Sequence, residues 1–217
     1  MSVLDRVQVI EGPFKYAVVE NALDSDLYQE LFEHFPRVDR PKGNNRATLR
    51  RGKAILEDRE THPVWRKFIV DHTGPDFYRQ AQELFGLVYE GSIGRRKQHN
   101  SEIQIECQCA TTSPVESPCS VKGPHTDNHK TKWAGILYFR DPKDNAGGDL
   151  QFFNVPKPKF NQKNGCINAA DVLFTVPYKA NIFVAWENNS HAVHGVTPRQ
   201  RTSLPRRYCN FTIDTRV

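Results

Sequence analysis

The sequence is most informative first through what it lacks. The first ten residues, Met1 to Ile10, carry charges and no sustained apolar run, so neither a signal peptide nor a membrane span is expected and the protein reads as cytoplasmic, with no membrane partner. There is no Cys-x-x-Cys spacing. The five cysteines (Cys107, Cys109, Cys119, Cys166 and Cys209) form an odd set, which leaves reduced thiols as the default. No internal repeat or low-complexity tract is present. The formal charge of +5 is modest, and no stripe of aromatic and basic residues accompanies it, so a nucleic-acid partner is not expected. No helical pattern separates the strand-like segments after residue 101, which argues against a parallel α/β fold.

The 217 residues suit a single domain over 1–217, with a helical lead-in (1–100) and a β core (101–215). Val9 to Glu20 is strand-like material broken at Gly12-Pro13. Asp24 or Ser25 can cap a helix in which Leu27, Leu31, Phe32 and Phe35 recur at helical spacing. A second helix opens at Thr61-His-Pro-Val-Trp65, with Pro63 suited to its first turn and Trp65, Phe68 and Ile69 as its apolar stripe. A third, carrying Phe77, Ala81 and Leu84, stops near Gly86. Between the first two, residues 37–54 are polar and basic, and a long surface loop is expected. Two basic clusters (Arg46, Arg50, Arg51 and Lys53; Arg95, Arg96 and Lys97) suit solvated loops or recognition of an anion.

From Ser101 the period becomes two. Glu102 to Cys109 alternates polar and apolar residues, as a half-buried strand does. Trp133 to Phe139, Gly147 to Phe153, Asp171 to Val176, Asn181 to Trp186, His191 to Val196 and Arg207 to Ile213 follow at short intervals with turn signals between them. About eight strands after a helical start predict a closed or sandwiched β core with helices outside it. Cys107 and Cys109 share a strand face, where they could pair on a metal or pack as small apolar groups.

Within this region His125 and Asp127 stand two residues apart. In an extended segment both point the same way and form a two-ligand claw. His194 can supply a third donor if the intervening strands fold back, and two imidazoles with one carboxylate suit non-haem Fe(II) with open positions. An ordinary buried His–carboxylate pair is the alternative. His191 and His129 compete as ligands. On the last strand Arg207, Cys209, Phe211 and Ile213 share one face, so Arg207 is expected to point inward and to need an anion. Arg matches a carboxylate in bidentate fashion, which suggests a dicarboxylic cosubstrate. Arg201 and Arg206 compete for that role: Arg201 falls in a loop, and Arg206 faces the other way from Arg207.

The assembly of His125-x-Asp127, Gly147-Gly148-Asp-Leu-x-Phe, His194-x-Val196-x-Pro198 and an Arg-Tyr pair on the last strand resembles the prolyl-hydroxylase-like 2-oxoglutarate- and Fe(II)-dependent oxygenases, over roughly residues 100–214. The resemblance implies a mainly β fold with N-terminal helices around a double-stranded β-helix, the jelly-roll or cupin-like core. It implies Fe(II) held by His125, Asp127 and His194, with 2-oxoglutarate and O2 as cosubstrates and the far carboxylate of 2-oxoglutarate on Arg207. Cys209 stands where relatives often have Ser, and its thiol is a poorer donor. The implied reaction is a dioxygenase hydroxylation of a small molecule or an amino-acid or peptidyl side chain, with succinate and CO2 formed. The carboxylate at Asp127 favours hydroxylation over halogenation. A zinc hydrolase with the same three ligands and a non-catalytic metal-binding β-sandwich module are the rival expectations.

Overall fold

The computed structural model describes residues 1–39, 42–89, 93–95, 102–161 and 165–215. In chain order the elements are β1 (Tyr16–Val19), α1 (Ser25–Glu33), β2 (Ala47–Arg51), α2 (Gly52–Glu57), α3 (Pro63–Asp71), α4 (Pro75–Phe85), β3 (Ile93–Arg95), β4 (Ile103–Thr112), β5 (Thr131–Tyr138), β6 (Leu150–Phe153), β7 (Phe160–Asn161), β8 (Gly165–Cys166), β9 (Val172–Val176), β10 (Phe183–Glu187), β11 (His194–Val196) and β12 (Arg207–Thr215). Local chemistry sets the helix ends. Pro63 and Pro75 occupy the first turns of α3 and α4, where a missing N–H costs nothing. Gly86 closes α4 with φ 64°, in the left-handed region. Among the described residues no helix is long and apolar enough to cross a membrane.

The strands form a jelly roll. A large sheet runs β1-β10-β5-β12-β4-β2, with β3 parallel to β4 and every other pair antiparallel. A smaller antiparallel sheet, β11-β6-β9, faces it. Both faces of the large sheet are buried. On the outer face Cys107, Cys109, Trp133, Leu137, Cys209, Phe211 and Ile213 pack with Trp65, Phe68, Phe77 and Phe85 from the helices. On the inner face Ala110, Ala134, Tyr138, Val184, Trp186 and Tyr208 meet Leu150, Phe152 and Val176 of the small sheet.

The expected loop at 37–54 is corrected. It contains β2, which pairs along β4 from Ala47↔Thr112 to Arg51↔Gln108, and the start of α2. A polar segment forms a strand here because β4 offers it a row of unpaired backbone groups, a tertiary effect that local composition does not carry. Of the second basic cluster, Arg96 and Lys97 lie outside the described residues, and Arg95 ends β3.

One buried ion pair ties the small sheet to its loops. Arg199 Nη2 donates to Asp144 Oδ2 at 2.7 Å, with neither side chain exposed. The Gly147-Gly148 motif makes room for it. A Cβ on Gly148, whose φ is +95°, would lie 2.7 Å from Arg199 Cγ, so the backbone passes directly over the arginine stem. Asp149 then accepts the Tyr178 N–H at 2.8 Å. Asp144→Ala strands a buried guanidinium and should cost about 3–5 kcal/mol. Urea unfolding would measure this, and a loss below about 1 kcal/mol would show that the pair is dispensable.

Candidate metal centre

The site begins with backbone pairing. His125 and His194 form an isolated antiparallel bridge in which each N–H donates to the other residue's carbonyl at 2.8 Å. Such a close crossing needs a small residue beside it. A Cβ on Gly195 would lie 3.0 Å from Pro124 N and 3.1 Å from Gly123 C. The bridge sets the two imidazoles side by side, with ring centroids 4.3 Å apart.

Each ring has one nitrogen occupied. His125 Nδ1 lies 2.8 Å from the Gly123 carbonyl and His194 Nδ1 lies 2.9 Å from the Ala192 carbonyl. Both bonds require an Nδ1–H tautomer, which leaves the Nε2 lone pairs free. Those Nε2 atoms stand 3.9 and 3.8 Å from Asp127 Oδ1. One ligand atom from each of the three residues falls within 4.8 Å of the other two, and this is the one such group among the described residues. The walls are apolar: the His194 ring is 4.8 Å from Trp186 and 5.5 Å from Phe152.

The electrostatics suit a cation. Burial, reinforced by the neighbouring His194 and by Lys122, lowers His125 to about 3. Burial, with Lys122 again, lowers His194 to about 4. Both rings are therefore neutral near pH 7, the form that ligates. Burial pushes the Asp127 carboxyl above its ordinary value, a cost that a bound cation would remove. His191 and His129 are not in the cluster. The His191 ring leans toward the Val155 carbonyl at 3.4 Å, and the His129 carbonyl accepts from Lys132 Nζ.

The inward orientation expected of Arg207 is not the one observed. Arg207 shares its face with Cys209, Phe211 and Ile213, but that is the outer, helix-covered face. The Arg207 guanidinium lies 6.0 Å from the Phe32 ring and 5.8 Å from Phe35, in a groove with Glu33 and Arg37. Cys209 also faces outward, its sulfur 3.3 Å from that of Cys107. The buried inner cation is Arg206, 2% exposed. Its guanidinium lies 5.0 Å from each of the Tyr138, Tyr178 and Tyr208 rings, and Nη2 donates to the Tyr138 hydroxyl at 3.1 Å. Arg206 Nε is buried without a partner. Arg199, the second buried inner arginine, was not apparent from the sequence, where nothing distinguished it from surface loop cations.

No protein-family model matches the sequence, and no curated protein sequence matches it. Solved structures do share its fold. The chain is similar to a prolyl-4-hydroxylase from Pseudomonas putida, at 13% identity over 93% of both chains with a TM-score of 0.55. It is similar to an oxidoreductase of the 2OG-Fe(II) oxygenase family from Burkholderia pseudomallei, at 15% identity over 92% of this chain and 84% of that one with a TM-score of 0.53. It is also similar to the epimerase SnoN, solved with Fe3+, alpha ketoglutarate and nogalamycin RO, at 14% identity over 92% and 78% with a TM-score of 0.55. The fold is thus the jelly roll of the 2-oxoglutarate- and Fe(II)-dependent oxygenases.

Two outcomes follow from this geometry. Asp127→Asn removes a costly buried carboxyl, so the metal-free variant should be at least as stable as the parent, while the thermal shift produced by Mn(II) should collapse. At 100 times its Kd a metal contributes about 2.7 kcal/mol to the parent, and a full shift in the variant would locate the ion elsewhere. The second concerns acid. Imidazoles held neutral at about 3 and about 4, against 6.5 when unfolded, bind fewer protons folded than unfolded. The stability they contribute is complete above pH 6.5 and is lost as pH falls toward 4, at up to about 1.4 kcal/mol per unit for each ring. Urea unfolding of chelator-treated Asp127→Asn protein, in which the oppositely signed Asp127 titration is removed, should show that loss between pH 7 and pH 5, and a flat profile would contradict the neutral assignment.

Proposed function

We propose that the protein is a 2-oxoglutarate- and Fe(II)-dependent dioxygenase that hydroxylates an unactivated carbon of a small molecule or an amino-acid side chain. The observation that carries this reading is the pairing, in one inter-sheet interior, of a two-imidazole, one-carboxylate donor set with a buried guanidinium, that of Arg206, which has no carboxylate partner among the described residues. The donor set fits Fe(II), since His125, Asp127 and His194 would occupy one face of the ion and leave the other open. Zinc accepts the same donors, but metal hydrolysis gives no use for Arg206.

Arg206 fits the far end of a dicarboxylate. A buried guanidinium without an anion is costly, and its planar fork matches a carboxylate. The surrounding tyrosines reinforce it. Burial raises Tyr138 and Tyr208 and pushes Tyr178 up to about 12, so their hydroxyls stay protonated. Tyr178 accepts the Arg207 backbone N–H at 2.9 Å, which leaves its own proton for a ligand oxygen. Tyr138, Tyr178 and Tyr208 belong to the same apolar cluster as Phe152 and Trp186, the rings that touch His194. A 2-oxoglutarate anchored at Arg206 would thus have its oxo-acid end directed toward the metal ligands.

When bound, the metal would supply O2 activation coupled to decarboxylation of 2-oxoglutarate to succinate and CO2. The chain's own groups hold and orient. Arg206 and the tyrosines fix the cosubstrate, the Trp186 and Phe152 rings keep bulk water from the His194 side, and the Nδ1 bonds keep both imidazoles in the ligating tautomer.

The test is anaerobic calorimetry of 2-oxoglutarate binding to Fe(II)-loaded protein. Arg206→Met should weaken binding by about 2–5 kcal/mol, at least 30-fold, while leaving the stability of the ligand-free protein equal or higher. Arg207→Met should change affinity by less than about threefold. The opposite pattern would return the anchor to Arg207, and no binding to the parent would leave the zinc or binding-module alternatives.

A further inference from the structure

Beyond Arg206, the inner face of β12 carries a second ligand-sized feature. Pairing of β12 with β4 sets Asn210 opposite Gln108 and Asp214 opposite Gln104, all on the face that begins with Arg206 and Tyr208. There the packing stops being apolar. A cavity of about 310 Å³ has a lining that includes Gln108, Asn128, Lys130, Asn210, Thr212 and Asp214. That volume is at the small end of ligand sites, roughly 300–1,000 Å³, but most such sites are lined chiefly by apolar groups. This one carries amides, hydroxyls and one charge of each sign.

The cavity has hydrogen-bonding capacity that the protein leaves unused. The Thr212 and Thr215 hydroxyls are buried without a partner, and Thr215 is only 6% exposed. An unpartnered buried hydroxyl is costly, and a polar ligand would recover that cost. Asp214, the one carboxylate of the lining, accepts the Thr131 hydroxyl on Oδ1 at 2.7 Å. Among the described residues no ion pair joins Lys130 to Asp214.

The cavity also lies within reach of the metal centre. Asn128 directly follows the ligand Asp127. Thr212 pairs with Ala134 and Ala134 with Trp186, so Thr212 stands two strands, about 10 Å, from the Trp186 backbone. The Trp186 ring is 4.8 Å from that of His194, and its Nε1 is likewise buried without a partner.

We propose that this cavity is the substrate subsite of the oxygenase site and that its ligand is a small free α-amino acid, with its ammonium on Asp214, its carboxylate on Lys130 and its polar atoms among Gln108, Asn210 and Thr212. The inference rests on the oxygenase reading for the word substrate, whereas the ligand chemistry comes from the cavity itself. One charge of each sign, set in a hydrogen-bonding wall, matches a zwitterion better than an acyl chain or a planar ring system.

Calorimetry and thermal shift with the Fe(II)-loaded protein, under nitrogen and with 2-oxoglutarate present, would test it, using the twenty common L-amino acids and their N-acetyl amides as probes. At least one free amino acid should bind, and its N-acetyl amide, which lacks both charges, should bind at least tenfold more weakly. Asp214→Asn and Thr212→Val should each weaken that amino acid by about tenfold while 2-oxoglutarate affinity stays within threefold of the parent, which controls for folding. No binding by any free amino acid would overturn the proposal, as would equal binding of the N-acetyl amide, which would point to a peptide chain. So would an unchanged affinity in Asp214→Asn. Amino-acid binding in a parent that does not bind 2-oxoglutarate would retain the zwitterion site and remove the oxygenase reading, so the two failures are separable.

Discussion

The pair of backbone hydrogen bonds between His125 and His194 is the contact on which the candidate centre depends. It joins two segments that are far apart in sequence, and it places both imidazoles before either side chain makes a contact. Carbonyl groups two residues upstream of each histidine then take the Nδ1 protons. Ring position and tautomer are therefore both set by main chain. The consequence is a preorganised pair of neutral donors whose cost was met in folding rather than on metal binding. Asp127 differs, because it is the one charged donor and burial works against its charge. The site's preference for a cation thus resides mainly in a single carboxylate.

A similar asymmetry governs the arginines between the sheets. Arg199 and Arg206 both lie against Tyr178, at 5.7 and 5.0 Å from its ring, yet only Arg199 has a carboxylate. Burial and chemical type are the same for the two, so neither property separates a structural arginine from a ligand-binding one. The partner does. Asp144 neutralises Arg199, and the Gly147-Gly148 turn is shaped around its stem. Arg206 has the Tyr138, Tyr178 and Tyr208 rings against it and, among the described residues, no carboxylate ion pair; phenols can orient an anion but cannot replace one.

Much of this was legible in the residues, and the exceptions share one cause. The His-x-Asp pair and His194 stood out because their side-chain chemistry is rare and their spacing implies a shared face. The two-residue period after Ser101 announced the strands. Alternation also grouped Arg207 correctly with Cys209, Phe211 and Ile213, but it could not say which face was the interior, because both faces of the large sheet are buried. The usual rule, apolar face inward, failed since the helices make the outer face the more apolar one. A usable signal was present in Asn210 and Thr212. Their parity matches Arg206, and a jelly roll that encloses a polar site must turn its hydrogen-bonding residues toward the interior. β2 was illegible for a different reason: its pairing energy comes from the exposed edge of β4, which no local window contains.

The face of β12 that carries Arg206 and Tyr208, and then Asn210, Thr212 and Asp214, grades from a buried cation through phenols to amides, hydroxyls and a carboxylate. That gradient cannot be justified as packing, because the opposite face of the same strand shows what this fold selects when packing alone decides: Cys209, Phe211 and Ile213, all fully buried. A strand that retains the partnerless Thr212 hydroxyl and, at Arg206, a guanidinium without a carboxylate among the described residues gives up stability on that side, at about 1–3 kcal/mol for the hydroxyl. Ligands that satisfy those groups return it by mass action. Occupancy and stability of the inter-sheet interior would therefore be coupled through one strand, with the proposed anion end and the proposed zwitterion end as separate contributors. The helices and the outer core carry the fold when both are empty, and this division lets the inner face be specified for binding.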